Sequence, residues 1–352
     1  MEQATNCHST SVRNGRLMGS NYRAIILVGA FCLAASSGFA AECQGHNLFQ
    51  ALESEAPETY AALEAAASAM PFGHGKLFRL SQEGTTPSYL FGTIHLSDPR
   101  ITDFSPQLRG ALANSKIIAL EATETGDALA RAIPAKRAAM RAAMLAREEQ
   151  RPDRMLSKAD FAELEAVIVR HGLRKSAAHK FKPSALALLL DQPACAGLGP
   201  GRKPGLDAAI DDFARENKIP VVGLETIIEQ VTILDGLSRN TERDLLIATL
   251  RQADHLEDIA ETMIARYQKG DIGGLLAWMR SPEWVPGVAQ ARIPPDFFYR
   301  LITLRNQRMR DRALPLLRQG SAFIAVGAAH LPGKEGLLHL LEAEGCRIEM
   351  IE

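Results

Sequence analysis

The sequence predicts an α/β (α+β) protein: a central mixed sheet, helices packed around it, and a large helical insertion in the middle of the chain. Three observations carry that reading. Short apolar runs of strand type alternate with helical stretches at both ends of the chain, the pattern of a sheet layered by helices. The stretches between them, about 125–218 and 226–318, read largely as helix. One phrase, a strand closed by Gly-x-x-His, occurs twice: SYLFGTIH ends with Gly92 and His95, and SAFIAVGAAH ends with Gly327 and His330.

Taken in order, residues 1–40 read as a signal peptide. Arg13, Arg16 and Arg23 precede an apolar stretch from Ala24 to Ala35, and Gly38-Phe39-Ala40 fits a cleavage site before Ala41. The apolar stretch is roughly 12 residues, short of the ~20 that span a bilayer. The expectation is a periplasmic or secreted domain over 41–352 with no membrane span after cleavage; an uncleaved anchor is the alternative.

Residues 47–69 then predict helix, interrupted near Pro57. KLFRLS (76–81) and SYLFGT (88–93) predict a hairpin through the turn EGTTP. Residues 105–115 predict a helix with Pro106 at its first position, and KIIAL (116–120) a strand reaching Glu121. Helix returns over 135–149. Ser157-x-x-Asp160 resembles a capping box that opens a helix with Phe161, Leu164 and Ile168 on one face, stopped at His171-Gly172. The Pro- and Gly-rich run 192–205 is loop. Leu206, Ala209, Ile210 and Phe213 repeat at helical spacing, and the strand IPVVGL ends at Glu225. Residues 226–280 are again helical. A four-proline loop with Trp284 covers 281–296, and a helix over 297–318 is bent at Pro315. The second motif strand, a helix over 335–344 and the strand CRIEMI close the chain.

Composition bounds the partners. The chain has 352 residues, 46% hydrophobic and 23% charged, with a net charge of −1, ordinary for a globular protein. The charge offers no basic field for nucleic acid and no polybasic membrane patch. Five cysteines are present, of which Cys7 and Cys32 fall in the signal. An oxidising compartment permits disulfides. Cys43 lies in a loose N-terminal stretch and Cys195 in the Pro/Gly-rich loop; these two are the expected pair, leaving Cys346 a buried thiol. No C-x-x-C spacing occurs.

Four strand-like segments end in a polar group, at His95, Glu121, Glu225 and His330. Open α/β sheets collect ligands at the carboxyl ends of their strands. If the four strands are parallel neighbours, these side chains share one edge. Two imidazoles with carboxylates suit a divalent cation such as manganese, cobalt or zinc, which lowers the pKa of bound water. Glu121 or Glu225 would alternatively act as general base. The bland reading is a loop-bonded histidine and helix-capping glutamates. Gly92 and Gly327 allow a sharp turn and close backbone approach. Arg305, beside Asn306, would stabilise an oxyanion or grip a substrate carboxylate; the alternative is pairing with a surface acid. Arg308, Arg310 and Arg312 read as a solvated face. Asp98 reads as a turn cap rather than a partner of His95. H-E-x-x-H and G-x-S-x-G are both absent.

The phrases PSYLFGTIHLSDPR, IIALEAT, PVVGLETIIEQ, LRNQRM and AVGAAHLPGKEGLLHLLEAEGCRIE resemble the TraB/PrgY/GumN family, whose animal relatives are the Tiki proteins. The resemblance runs from near Cys43 to the end. It implies a fold like that of erythromycin esterase-like and ChaN-like proteins. It also implies a site built on Gly92, His95, Glu121, Gly327 and His330, and, by similarity to Tiki members, a manganese- or cobalt-dependent metalloprotease acting on peptides. Glu225, Arg305 and Asn306 match further family phrases. The resemblance leaves two other readings: a non-catalytic binder of peptide or haem, and an accessory protein of envelope polysaccharide production.

Overall fold

All six strands expected from the sequence form, and they join one mixed sheet in the order β4-β3-β5-β2-β1-β6. They are β1 (Leu77–Ser81), β2 (Ser88–Thr93), β3 (Ile117–Ala122), β4 (Val221–Glu225), β5 (Ala322–Gly327) and β6 (Arg347–Met350). This is a computed structural model; it describes residues 43–123, 134–193, 205–282, 285, 287–288 and 292–352. The expected signal peptide, Cys195 and Trp284 lie outside the described residues. No helix among the described residues is long and apolar enough to cross a membrane.

β4, β3, β5 and β2 run parallel, with Ala122 opposite Glu225, Leu120 opposite Ala325 and Thr93 opposite Gly327. β1 turns back antiparallel on β2, and β6 adds antiparallel to β1. The four phrases that end in His or Glu are therefore the four parallel neighbours, and their carboxyl ends form one edge.

Period-2 alternation sends side chains to two cores. In β5, Phe323 and Ala325 join one apolar cluster while Ile324 and Val326 join the other, and all four are fully buried. Continuous apolar runs of this kind belong to strands covered on both faces. One face is covered by Arg305–Gln319 and Leu337–Ala343, through Met309, Ala313, Leu317 and Leu338. The other is covered by Leu48–Glu55, Pro106–Ala113, Leu206–Glu216, Leu256–Gln268 and Ile272–Arg280. Trp278 is fully buried there against Phe49, ring centroids 5.8 Å apart. Burying each large side chain contributes roughly 1.5–3 kcal/mol.

The helical middle has a third core of its own. Leu164, Ile168, Leu186, Leu190, Leu246 and Leu250 pack together from Lys158–Arg170, Pro183–Leu190 and Arg239–Gln252. Ser157 caps the first of these through Asp160 N–H, and Gly172 stops it at φ +73°, where a residue without Cβ is favoured.

The helix expected over 297–318 differs in one respect. Pro295–Phe298 leads into a wide π turn at Tyr299–Leu304 before regular helix resumes at Arg305 and runs to Gln319 with Pro315 inside. Such turns shift helical phase by one residue and concentrate at functional sites. Here the shift leaves Thr303, Arg305 and Asn306 all buried against the sheet edge. Side-chain periodicity does not report this, because Tyr299–Leu304 is apolar enough to satisfy either phase.

Cys43 is buried and disulfide-bonded, with its partner outside the described residues. Cys346 is a buried free thiol.

Candidate functional site

Gly327, the last residue of β5, marks the point where the two motifs meet. A Cβ added there would stand 3.2 Å from Glu121 Oε2, 3.5 Å from His330 Cδ2 and 3.8 Å from His95 Nε2. Its N–H donates to Glu121 Oε2 at 2.7 Å. Parallel pairing explains the meeting: β5 lies between β2 and β3, so residues just past each strand end converge. Gly92 serves close approach of a different kind. A Cβ there would lie 2.6 Å from Leu331 Cδ1 and 3.0 Å from Ala328 Cα, so the turn carrying His330 sits directly on β2. The Gly92 carbonyl accepts from the buried Tyr267 hydroxyl at 2.7 Å.

Each histidine is held through Nδ1. His330, 3% exposed, has Asn306 Oδ1 at 2.7 Å, and Asn306 donates onward to the Glu335 carbonyl at 2.7 Å. Since the Asn306 amide nitrogen is spent as donor, its oxygen accepts, which puts the imidazole proton on Nδ1 and leaves Nε2 free. Nε2 stands 4.0 Å from Glu121 Oε2. His95 has Asp207 Oδ2 at 2.9 Å, and Thr93 donates to Asp207 Oδ1 at 2.8 Å. A carboxylate only accepts, so His95 also carries its proton on Nδ1 and turns Nε2 inward.

The electrostatics separate the two rings. The Asp207 hydrogen bond raises His95, whose side chain is 68% exposed, to about 9. Burial drives His330 down to about 3 despite Glu121. Burial opposes the Glu121 charge, yet His330, Arg305, His95 and the Gly327 N–H together bring it to about 2. At neutral pH the arrangement holds a carboxylate, an imidazolium and a neutral imidazole around one point. With His330 neutral there, Arg305, the His95 imidazolium and the Gly327 N–H, in that order, stabilise the Glu121 carboxylate.

Behind Glu121 lies a buried ion-pair cluster. Arg305, 5% exposed, bonds Glu121 Oε1 through Nη2 and Glu225 Oε2 through Nε at 2.8 Å. Arg308 bonds Glu225 Oε1 at 2.9 Å, and Gln230 donates to Glu121 Oε1 at 3.0 Å. Both oxygens of Glu225, 2% exposed, are thus taken by guanidinium donors. Among the described residues Arg305 Nη1 has one long contact, 3.4 Å to the Leu301 carbonyl, and Arg305 lines the cavity.

The expectation of a solvated arginine face is corrected here. Arg308 enters the cluster, and Arg312 bonds the Leu224 carbonyl at 2.7 Å and clamps Glu229. The helix packs across the end of β4, which residue spacing alone does not specify. Asp98 caps Pro99–Thr102 and pairs with Arg100; the acid that meets His95 is Asp207. Sequence reading missed Asp207 because an acid in the first turn of a helix is ordinary dipole compensation.

Glu121, His95, His330 and Arg305 all line a cavity of about 320 Å³. Its walls are mostly apolar, with Leu256, Ile259, Met263, Leu275, Met279 and Ile302 among them, and Thr93, Asp191 and Gln192 add further polar groups. The donor types, two imidazole nitrogens and a carboxylate oxygen, suit a divalent cation. Among the described residues no three His, Cys, Asp or Glu side chains stand at ligating geometry, so convergence is met and closure is not.

Comparison with known proteins gives one family and a small set of relatives. The TraB/PrgY/gumN family profile matches residues 76–350. "Metalloprotease TIKI2" of Xenopus tropicalis is 25% identical over 302 residues, covering 75% of this chain and 57% of the relative. "Metalloprotease TIKI1" of Xenopus tropicalis is 26% identical over 304 residues, covering 74% and 58%, and "Metalloprotease TIKI1" of Homo sapiens is 26% identical over 308 residues, covering 75% and 59%. The chain thus spans less than two thirds of the length of these curated relatives. No solved structure matches it.

Proposed function

The chain belongs to the TraB/PrgY/gumN family, and we propose that it is an exported, metal-dependent hydrolase acting on peptides, with His95, His330 and Glu121 as the metal-binding set. The observation that carries the reading is the convergence of His95 Nε2, His330 and Glu121 Oε2 on Gly327 at the carboxyl edge of four parallel strands. The names of the relatives support the reaction class.

A bound manganese, cobalt or zinc ion would supply Lewis acidity to a substrate carbonyl and to water. The chain's own residues prepare the site. Asn306 and Asp207 fix the rings of His330 and His95 through Nδ1, as carboxylate and carbonyl partners do for ligating histidines. Gly327 N–H and Arg305 hold Glu121 ionised and fix its orientation. Glu225 acts through Arg305, since its own oxygens are occupied. Arg305 lines the cavity, and its guanidinium would steady negative charge developing on a carbonyl oxygen. The apolar walls exclude water around the reacting bond.

Elemental analysis of the purified protein beside His95→Ala tests the set, together with peptide cleavage before and after chelation and in His330→Ala. Metal in the wild type, its loss from His95→Ala and cleavage abolished by chelation are expected. Equal metal content in both proteins overturns the reading. Ligand affinity with no turnover under any divalent metal would favour a binding role for the same cavity.

A further inference from the structure

Two helices turn an apolar stripe to the cavity. On Leu256–Gln268 the lining residues are Leu256, Ile259, Ala260 and Met263. On Ile272–Arg280 they are Ile272, Leu275, Leu276 and Met279. Both sets follow i, i+3, i+4, i+7, one face of a helix. The charged side chains of the first helix serve elsewhere: Asp258 accepts from the His46 N–H, Glu261 pairs with Arg100, and Arg266 pairs with Glu64 and Asp271. Tyr267 continues the first stripe, and its hydroxyl is engaged by the Gly92 carbonyl. Neither stripe therefore offers a polar partner to a ligand.

Six of these eight residues are at most 7% exposed. The two that end the stripes, Met263 and Met279, are only partly buried. Packed interiors leave few voids larger than a water, so about 320 Å³ walled in this way is space for a ligand. Ligand pockets run from about 300 to about 1,000 Å³. A volume at the small end suits one amino-acid side chain with its peptide group, and not a long acyl chain. A polar group set against the stripes would lose its hydrogen bonds to water with no replacement. Methionine, unbranched and polarisable, adapts to apolar shapes. We infer that the two stripes form a specificity subsite for an uncharged aliphatic side chain, of leucine or methionine size, with Met263 and Met279 as its specificity determinants. The inference deepens the hydrolase reading by naming the side chain that its peptide would carry there, but binding itself needs neither metal nor turnover.

Calorimetric titration of the full chain with acetyl-Ala-Leu-Ala-amide and acetyl-Ala-Asn-Ala-amide tests it, leucine and asparagine being similar in size and opposite in polarity. The wild type should bind the leucine peptide at least ~10-fold more tightly, the lower part of the range for burying one leucine side chain. In the double variant Met263→Gln, Met279→Gln, shown to be folded by thermal melting, the preference should fall to within ~2-fold, because the stripes then offer hydrogen-bonding partners. Should the pair fail to fold, Met279→Gln alone carries the comparison and should at least halve the preference. Equal affinities in the wild type, no binding of either peptide, a leucine preference unchanged by these substitutions, or tighter binding of N-octanoyl-glycinamide than of the leucine peptide overturns the inference. Absence of hydrolysis under every metal would sink the proposed function and leave a leucine preference standing.

Discussion

His95 Nδ1 stands 2.9 Å from Asp207 Oδ2, bridging 112 residues of chain from the end of β2 to the first turn of the helix Leu206–Glu216. The contact sets the charge of the ring that faces the cavity. A histidine raised from 6.5 to about 9 contributes stability that is full below 6.5 and lost as pH rises through 9. Asp207→Asn should bring the His95 midpoint back toward 6.5, read from its imidazole proton shifts in NMR. A midpoint that stays near 9 would assign the shift to another group.

The same proton competes with a metal. Ligating imidazole must be neutral, so metal binding releases the His95 proton. His330 is already neutral and Glu121 already ionised at neutral pH. Metal affinity should climb about tenfold per pH unit from 7 toward 9 and then level off, measured by competition with a chelator of known affinity. A flat profile over that range would show that His95 gives up no proton on loading.

Arg305 sits between two buried carboxylates. Arg305→Met should destabilise the fold by about 3–5 kcal/mol, because removing one partner leaves uncompensated buried charge. Adding Glu225→Gln should recover part of that loss, since the buried carboxylate left with Arg308 alone then loses its charge. Urea denaturation of the single and double variants checks both; equal stability of the two would separate Glu225 from the cluster.

Gly92→Ala places a methyl 3.0 Å from Ala328 Cα and closer still to Leu331 Cδ1. Leu331 can swing, but the backbone of the His330 turn cannot give way freely. A cost of about 1–3 kcal/mol is expected from such overpacking, seen as a lowered melting temperature. Leu331→Ala in the same chain should restore only part of it, because the Ala328 contact remains.

Much of this architecture was legible in the chain itself. Strand runs bounded by Gly, Pro and acidic turns identified all six strands, including the largely exposed β4 and β6. The repeated Gly-x-x-His, with Glu121 and Glu225 at matching strand ends, nominated the residues that the parallel register brings to one edge. Asp207, Tyr267 and Asp191 were not legible. Each belongs to a helix or its cap in which an acid or an aromatic residue is locally unremarkable.

The sequence by itself determined which segments become strands and which side chains stand at their ends, because those follow from short-range periodicity and turn chemistry. Only the tertiary structure decided the strand order that puts β5 between β2 and β3. It alone gave the π turn that directs Arg305 and Asn306 to the site, and the buried charge balance that makes one histidine cationic and the other neutral. The strand order and the charge balance depend on contacts between distant residues, such as His95–Asp207 at 112 positions and Glu121–Gly327 at 206, where proximity arises from packing and leaves no trace in local spacing.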